Sequence, residues 1–286
     1  LPGNRALTTF GPVMEPVTTL RPGLRRVVAP NPSMMTGPGT NTYLFGHDKV
    51  AVLDPGPVID SHIDTIIETA AAPIGWVLVT HTHPDHSPAA SVLAEITGAE
   101  LVGMPAPEGP HQDATFTPQR SLEDTEEFET GEFVLEAIHT PGHASNHICF
   151  LHAESNWLFT GDHVIDGSTV VIDPPDGNMK QYIDSLRRVK QLEVDALAPG
   201  HGEIINDPAR VVDWIIGHRL GREAKVVAAL KQNPRLSTYD LVPHVYKDVD
   251  KRLYGWAERS LLAHLLKLKE EGRAGQAGGL WTALRE

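Results

Sequence analysis

Cysteine is nearly absent: Cys149 stands alone in 286 residues. A lone thiol closes no intramolecular disulfide, so nothing in the covalent framework calls for an oxidising compartment. Its neighbours Ile148 and Phe150 suggest a buried strand position. Long apolar runs are missing too, none approaching the roughly 20 residues that span a bilayer. The opening Leu-Pro-Gly-Asn-Arg has no apolar signal-peptide core. A cytoplasmic chain without membrane contact is the expectation. Aromatics number only 5 Trp, 5 Tyr and 7 Phe, few platforms for stacking single-stranded bases. Positive charge is short as well: 24 Lys and Arg face 37 Asp and Glu, a formal net charge of −13. That mean field disfavours a polyanionic partner. No Gly-x-Ser-x-Gly elbow marks a serine nucleophile.

With 41% hydrophobic and 21% charged residues the chain has ordinary globular usage, which excludes wholesale disorder. Its length suits one large domain, or a large and a small one. Residues 41–54 read as two β-prone runs around a Gly-containing turn, a hairpin. Ile63, Ile66 and Ile67 at helical spacing place a helix over 59–72, and 76–80 is a short buried strand. A helix over 87–97 follows, with Ser87 as N-cap and Pro88 at its first position. Hairpins are expected over 126–139, around Thr130-Gly131, and over 146–160, around Glu154-Ser155-Asn156. A helix over 179–192 and a strand over 194–198 complete this part.

After about residue 205 the pattern turns helical, over 207–231, 238–246 and 256–271, and a Gly-rich stretch leads into Leu-Trp-Thr-Ala-Leu as a small β-wing. We place the domain boundary there, giving 1–205 and 206–286. The charge divides with it: the first part holds 10 basic and 27 acidic side chains, −17, and the second 14 basic and 10 acidic, +4.

What is plentiful is histidine, 15 residues. His81-Thr82-His83-Pro84-Asp85-His86 sets four ligand-capable side chains within six residues, on a loop at the end of a strand. Imidazole and carboxylate are donors that Zn²⁺ accepts, and a loop can direct alternate side chains to two centres. Thr140-Pro-Gly-His143, Thr160-Gly-Asp162-His163 and Ala198-Pro-Gly-His201 each follow another expected strand, where functional loops collect. A glycine beside each candidate lets the backbone turn tightly.

With these elements in this order the chain resembles the metallo-β-lactamase superfamily. The resemblance implies an α+β fold, a four-layer αββα sandwich. Carried over by motif, His81, His83 and His143 would hold a first metal, and Asp85, His86 and His201 a second. Asp162 would bridge them. Two Zn²⁺ would share a hydroxide as nucleophile, with Asp85 as its proton acceptor. His83 stands where diiron flavoproteins of the superfamily carry glutamate, which favours zinc, with iron or manganese the alternatives tolerated by glyoxalase-type relatives. His163 is a candidate for supporting the site or touching substrate. His139 and His147 are read as structural, and His47, His62, His111, His218, His244 and His264 as surface or core residues. Asn31, Thr36 and Asn41–Tyr43 would border the substrate. Loops 104–125 and 164–178 would form the pocket walls.

Further segments, including Asn31-Pro-Ser, Gly39-Thr-Asn-Thr-Tyr-Leu44 and Pro174-Pro-Asp-Gly-Asn-Met179 leading to Tyr182, resemble the β-lactamase-like branch with a C-terminal winged helix. That branch holds an endoribonuclease acting on single-stranded RNA beside bacterial hydrolases and glyoxalase-II-like proteins. The acidic catalytic part favours a small ester, thioester or lactone. RNA is the alternative, with phosphates contacted by Arg259, Lys267, Lys269 and Arg273 of the basic module, and weak or promiscuous β-lactamase activity is another. A non-catalytic metal or nucleic-acid binding protein is disfavoured, because a structural zinc site is closed and four-coordinate. The helical module is expected to pack on the catalytic domain or to form a homodimer interface rather than bind nucleic acid.

Overall fold

Residues 14–284 are described in the computed structural model; the Leu1–Arg5 start, on which the signal-peptide expectation rests, lies outside them. Strands β1 (Val17–Arg21), β2 (Leu24–Val28), β3 (Asn41–Phe45), β4 (Val50–Leu53), β5 (Ile74–Leu78) and β6 (Glu100–Val102) lie in that order in one sheet. Helix α1 (Asp60–Ala70) links β4 to β5, and α2 (Ala89–Thr97) links β5 to β6, so these two connections are parallel crossovers. The second sheet has the order β11 (Ala196–Pro199), β10 (Trp157–Gly161), β9 (Ile148–His152), β8 (Val134–His139), β7 (Glu127–Glu129). Helix α3 (Met179–Lys190) crosses from β10 to its parallel neighbour β11.

Period-two alternation explains the layering. Tyr43 and Phe45 of β3 point into a core shared with Phe150 and Phe159 of the second sheet, while Leu44 between them packs with Ile63 and Ile66 of α1. On the opposite side Leu158 packs with Tyr182, Ile183 and Leu186 of α3. Helices, two facing sheets and helices therefore make four layers. Strands buried on both faces need apolar residues at successive positions, as in Tyr43-Leu44-Phe45 and Trp157-Leu158-Phe159. Cys149 is fully buried on β9, facing α3.

Helices α4 (Pro208–Gln232), α5 (Thr238–Val245) and α6 (Tyr254–Glu270) follow, then the hairpin β12 (Ala274–Ala277) and β13 (Leu280–Ala283). Trp281 of β13 is fully buried and donates its indole N–H to Thr238 Oγ1 at 3.0 Å, which seats the wing against α5. Helix α4 belongs to two cores: Val212 and Ile215 pack with α3, whereas Val226 and Leu230 pack with α5, α6 and Trp281. The module thus packs on the catalytic layers, and Ala263 of α6 joins the α3 core. Among the described residues no helix is long and apolar enough to cross a membrane.

One local expectation changes, and three strands are added that the sequence pattern did not show. Ser87 does not cap α2, because its hydroxyl is buried and donates to Asp113 Oδ2 at 2.8 Å, which leaves Pro88 as the cap residue. Strands β1 and β2 escape the hydrophobic pattern because Arg21, Arg25 and Arg26 interrupt it; Arg25 instead donates to the carbonyls of Thr69, Ala70 and Gly46, and Arg26 pairs with Glu203. Strand β6 is only three residues long, too short to show a period.

His264 of α6 is fully buried, and neither ring nitrogen has a protein partner. Burial, then the charges of Arg219, Lys267 and Arg222 with His218, holds it down to about 3. Between pH 6.5 and that value the unfolded chain binds a proton that the folded one refuses, so stability rises with pH across this window and is lost on acidification. We expect denaturant melts to show a loss of about 2 kcal/mol near pH 5 from this group, removed in His264→Leu. A His264→Leu profile as steep as wild type would refute the assignment.

Candidate metal centre

The loops after β5, β8, β10 and β11 meet where the two sheets join. Ile148 N donates to Thr80 O at 2.8 Å, and Asn146 Nδ2 to Thr82 Oγ1 at 2.9 Å, tying the second sheet to the His-rich loop. Two glycines make the approach possible. Gly142 has φ 141°, and a Cβ there would strike the Tyr182 backbone. At Gly200 a Cβ would come within 2.7 Å of the His86 ring and 3.0 Å of Asp162 Oδ1.

This brings together all seven side chains singled out in the sequence. His81, His83 and His143 form one group; Asp85, His86, Asp162 and His201 form another. In the first, His83 Nδ1 lies 3.0 Å from both His81 Nε2 and His143 Nε2. Three imidazole nitrogens converging in this way lack the protons to bond one another mutually. They are spaced much as on a tetrahedral zinc ion, where bonds of about 2.0–2.1 Å give N···N near 3.3 Å. In the second group the buried His86 Nε2, His201 Nε2 and Asp162 Oδ1 lack hydrogen-bond partners. His201 Nε2 is 3.2 Å from Asp85 Oδ2 and 3.2 Å from Asp162 Oδ1, and His86 Nε2 is 3.4 Å from the same Asp162 oxygen. The other oxygen of Asp162 lies 3.6 Å from His143 Nε2, so one carboxylate faces both groups. Orphaned donors in this arrangement fit a pair of metal ions.

The outward ring nitrogens are fixed. His143 Nδ1 donates to Val171 O at 2.8 Å, and His201 Nδ1 to Gly39 O at 3.2 Å. The Thr80 hydroxyl gives its proton to Asp54 Oδ2, at 2.8 Å, and so accepts from His81 Nδ1 at 3.0 Å. His86 Nδ1 donates to Asp54 Oδ2 at 3.0 Å. Each of these four rings thereby points its Nε2 inward. Burial, reinforced by the neighbouring imidazoles, holds His81 well below the usual histidine range; burial also depresses His143, and it carries His83 down to about 3. These rings are neutral, the form that ligates. Burial opposes charge on His86 and His201 too, but the carboxylates of Asp85 and Asp162, with Asp54 beside His86, outweigh it and raise both. Burial likewise works against Asp85 ionising, yet His86 and His201 hold it at about 2.

Asp54 was not read from the sequence. It follows β4 directly with φ 51°, is buried, and accepts from Thr80 N at 2.7 Å as well as from the Thr80 hydroxyl and His86. The available signal was a carboxylate at a strand end before Pro55-Gly56. Asn41 and Tyr43 do not border substrate as expected: Asn41 Nδ2 donates to Pro199 O and Gly202 O, both at 2.9 Å, and Tyr43 OH to Pro199 O at 2.8 Å, which holds the His201 loop. Thr42 is fully buried and donates to Asp54 O. Asn31 pins Thr40, and of this set only Thr36 lines the cavity above the metal groups. His163 is fully buried edge-on to Tyr182 and is not among the cavity-lining residues. His147 accepts from Asp162 N at 3.2 Å through Nε2 and meets Thr140 Oγ1 at 2.9 Å through Nδ1, a structural role one bond from the shared carboxylate. His111, read as an ordinary histidine, lines the cavity.

The helical module reaches this site through one loop. Arg219 of α4 is buried, donates to Val170 O, and lies over the Tyr182 ring at 5.3 Å. Arg259 of α6 binds Asp173 Oδ2 at 2.7 Å. The carbonyl that orients His143 belongs to Val171, between these anchors.

Residues 35–201 match the model of the metallo-beta-lactamase superfamily. The chain belongs to the metallo-β-lactamase superfamily. Residues 237–281 match the beta-lactamase associated winged helix domain. A beta-lactamase-like protein 2 homolog of Drosophila melanogaster is 30% identical over 274 residues, covering 90% of this chain and 91% of the relative. An atrochrysone carboxyl ACP thioesterase of Aspergillus fumigatus is 31% identical over 228 residues, covering 78% of this chain and 70% of the relative. A crystal structure of a superfamily protein from Thermus thermophilus superposes with TM-score 0.79 at 22% identity, over 93% of this chain and 100% of that one. The fold class is thus that of the superfamily, and the protein is a superfamily hydrolase.

Because Asp54 supports His86 through charge as well as shape, Asp54→Asn, which keeps the shape and tolerates a left-handed backbone, should weaken binding of an added divalent metal at the His86 group about 10–100-fold in chelator competition. Metal affinity unchanged from wild type would refute the role.

Proposed function

We propose that the chain is a dinuclear zinc hydrolase of acyl thioesters, with residues 1–205 as catalytic domain and 206–286 as a winged-helix-like domain that completes its cavity. The observation that carries this reading is Asp162, whose two oxygens face the two donor groups separately. Five imidazoles with two carboxylates suit zinc better than the harder cations. His81, His83 and His143 would hold one ion, Asp85, His86 and His201 the other, and Asp162 both.

Bound divalent ions supply Lewis acidity and water of lowered pKa. The rest falls to the chain. Asp85 and Asp162 both approach His201 and line the open cavity, and Asp85 is the more exposed of the two, 27% of its side chain against 12%. It therefore accepts the proton of the attacking water. A thiolate, conjugate base of a group with pKa about 8.5, departs without a proton, so no further acid is required. The thioesterase relative supports the choice of bond.

The RNA alternative loses the basic face on which it rested. Lys267 is buried and paired with Glu223 and Glu271, Arg273 with the same two carboxylates, and Arg259 with Asp173. Of the four candidate phosphate contacts only Lys269 has no such pairing.

The zinc-loaded protein is to be assayed in parallel against an acyl thioester, a lactone, S-D-lactoylglutathione, nitrocefin, bis(p-nitrophenyl) phosphate and labelled single-stranded RNA. We expect the thioester to lead the lactone and all non-thioester substrates by at least a hundredfold in kcat/KM, about 2.7 kcal/mol of transition-state discrimination. Asp85→Asn should lower the thioester rate about 10²–10⁴-fold while zinc remains bound at the three-histidine group. Preference for RNA, or undiminished activity in Asp85→Asn, would overturn the reading.

A further inference from the structure

A cavity of about 610 Å³ opens over the two donor groups, with His83, Asp85, His143 and Asp162 on its wall. Whatever reacts at the metal centre sits in this space, which falls in the range of small-molecule sites. Much of the remaining wall is apolar: Met35, Pro57, Val171, Pro174, Pro175 and Trp256. Prolines have a fixed φ and tryptophan few rotamers, so such a wall is formed in advance and little ordering is lost on binding.

Trp256 is the unexpected member, because it comes from α6 of the winged-helix module and not from a catalytic loop. A tryptophan 43% exposed on a helix would ordinarily be a surface accident. Here it is held: the Arg259 guanidinium lies over its ring at 5.0 Å, and the same guanidinium binds Asp173 on the opposing loop at 2.7 Å. A cation stacked on the ring and tethered at its other end leaves the indole facing the cavity as a fixed panel.

The charges say what this panel receives. Among the described residues Arg259 is the lone Lys or Arg lining the cavity, and Asp173 already neutralises it, while Glu108 and Asp176 add negative charge that no described Lys or Arg pairs. Two metal ions would offset the ligating carboxylates near the reacting bond but not these outer ones. A substrate tail bearing carboxylate or phosphate would find repulsion there, whereas an uncharged apolar tail gains the proline, methionine and indole surfaces.

We propose that Trp256, seated by Arg259, is the specificity-determining wall of the metal-site cavity and selects substrates carrying an uncharged apolar acyl or aryl group. The inference rests on the thioester reading for the bond that is cut, but not for the group that is recognised. Apolar burial of this kind is worth about 25 cal/mol per Å², ample for a tenfold preference.

The test uses the zinc-loaded full chain and N-acetylcysteamine thioesters that differ only in the acyl group: octanoyl, 2-naphthoyl, acetyl and succinyl. Wild type should favour octanoyl and 2-naphthoyl over both acetyl and succinyl by at least tenfold in kcat/KM. Trp256→Ala should shrink the octanoyl-to-acetyl ratio by about tenfold, mostly through KM, and Trp256→Phe should restore most of it. Arg259→Met should move the ratio in the same direction but less. Equal losses for all acyl groups, an unchanged ratio, or a preference for succinyl would overturn the proposal. If no thioester is cleaved, the bond assignment fails and calorimetric titration with octanoate decides the wall: binding weakened about tenfold in Trp256→Ala upholds it, and unchanged binding refutes it.

Discussion

Five imidazoles and two carboxylates are held largely out of water with their inward atoms facing one another, and the surrounding fold keeps them there. Left alone, such a cluster is costly, because His86 Nε2, His201 Nε2 and Asp162 Oδ1 are buried without a hydrogen-bond partner among the described residues. The arrangement persists because the outward nitrogens are tied to groups that cannot yield, namely the carbonyls of Gly39 and Val171, the Thr80 hydroxyl and the Asp54 carboxylate. Strain at the Asp54 backbone belongs to the same bargain: a left-handed residue at a strand end puts one carboxylate beside Thr80 and His86 together.

Much of the donor set was readable in the sequence because it follows a local rule. Ligands placed at strand ends beside glycine leave a trace in residue order, and His81 to His86, His143, Asp162 and His201 all do so. The residues that aim them do not. Asp54, Asn41 and Tyr43 sit on or just after strands remote from the histidine loop in sequence and act through hydrogen bonds, which no periodicity records. The same holds for β1 and β2, where Arg25, bonded to carbonyls, and Arg26, paired with Glu203, interrupt the apolar pattern. At His163, adjacency in sequence to Asp162 does not bring the side chain into the cavity, because the ring packs edge-on against Tyr182 of α3.

The winged-helix module, basic by composition, has three of its cations tied to carboxylates. Glu223 gathers Lys267 and Arg273 within the module, and Asp173 takes Arg259 across to the catalytic loop. The net positive charge of that segment is therefore a poor guide to its partners. What matters is where the charges end, and these three end on carboxylates that fasten helices to one another and to the rim of the cavity.

Helix α4 runs 25 residues, about 37 Å, with its first half in the α3 core and its second in the core around Trp281. It is a shared beam, and a shared beam cannot be removed from one building only. A chain cut at the boundary would lose the side chains that close the α3 layer, together with Arg219, whose hydrogen bond steadies the loop bearing the acceptor of His143. Loss of the module by truncation or local melting should therefore reach the metal centre directly, and the two domains inherit a common fate: the accessory part is retained as part of the active site's foundation.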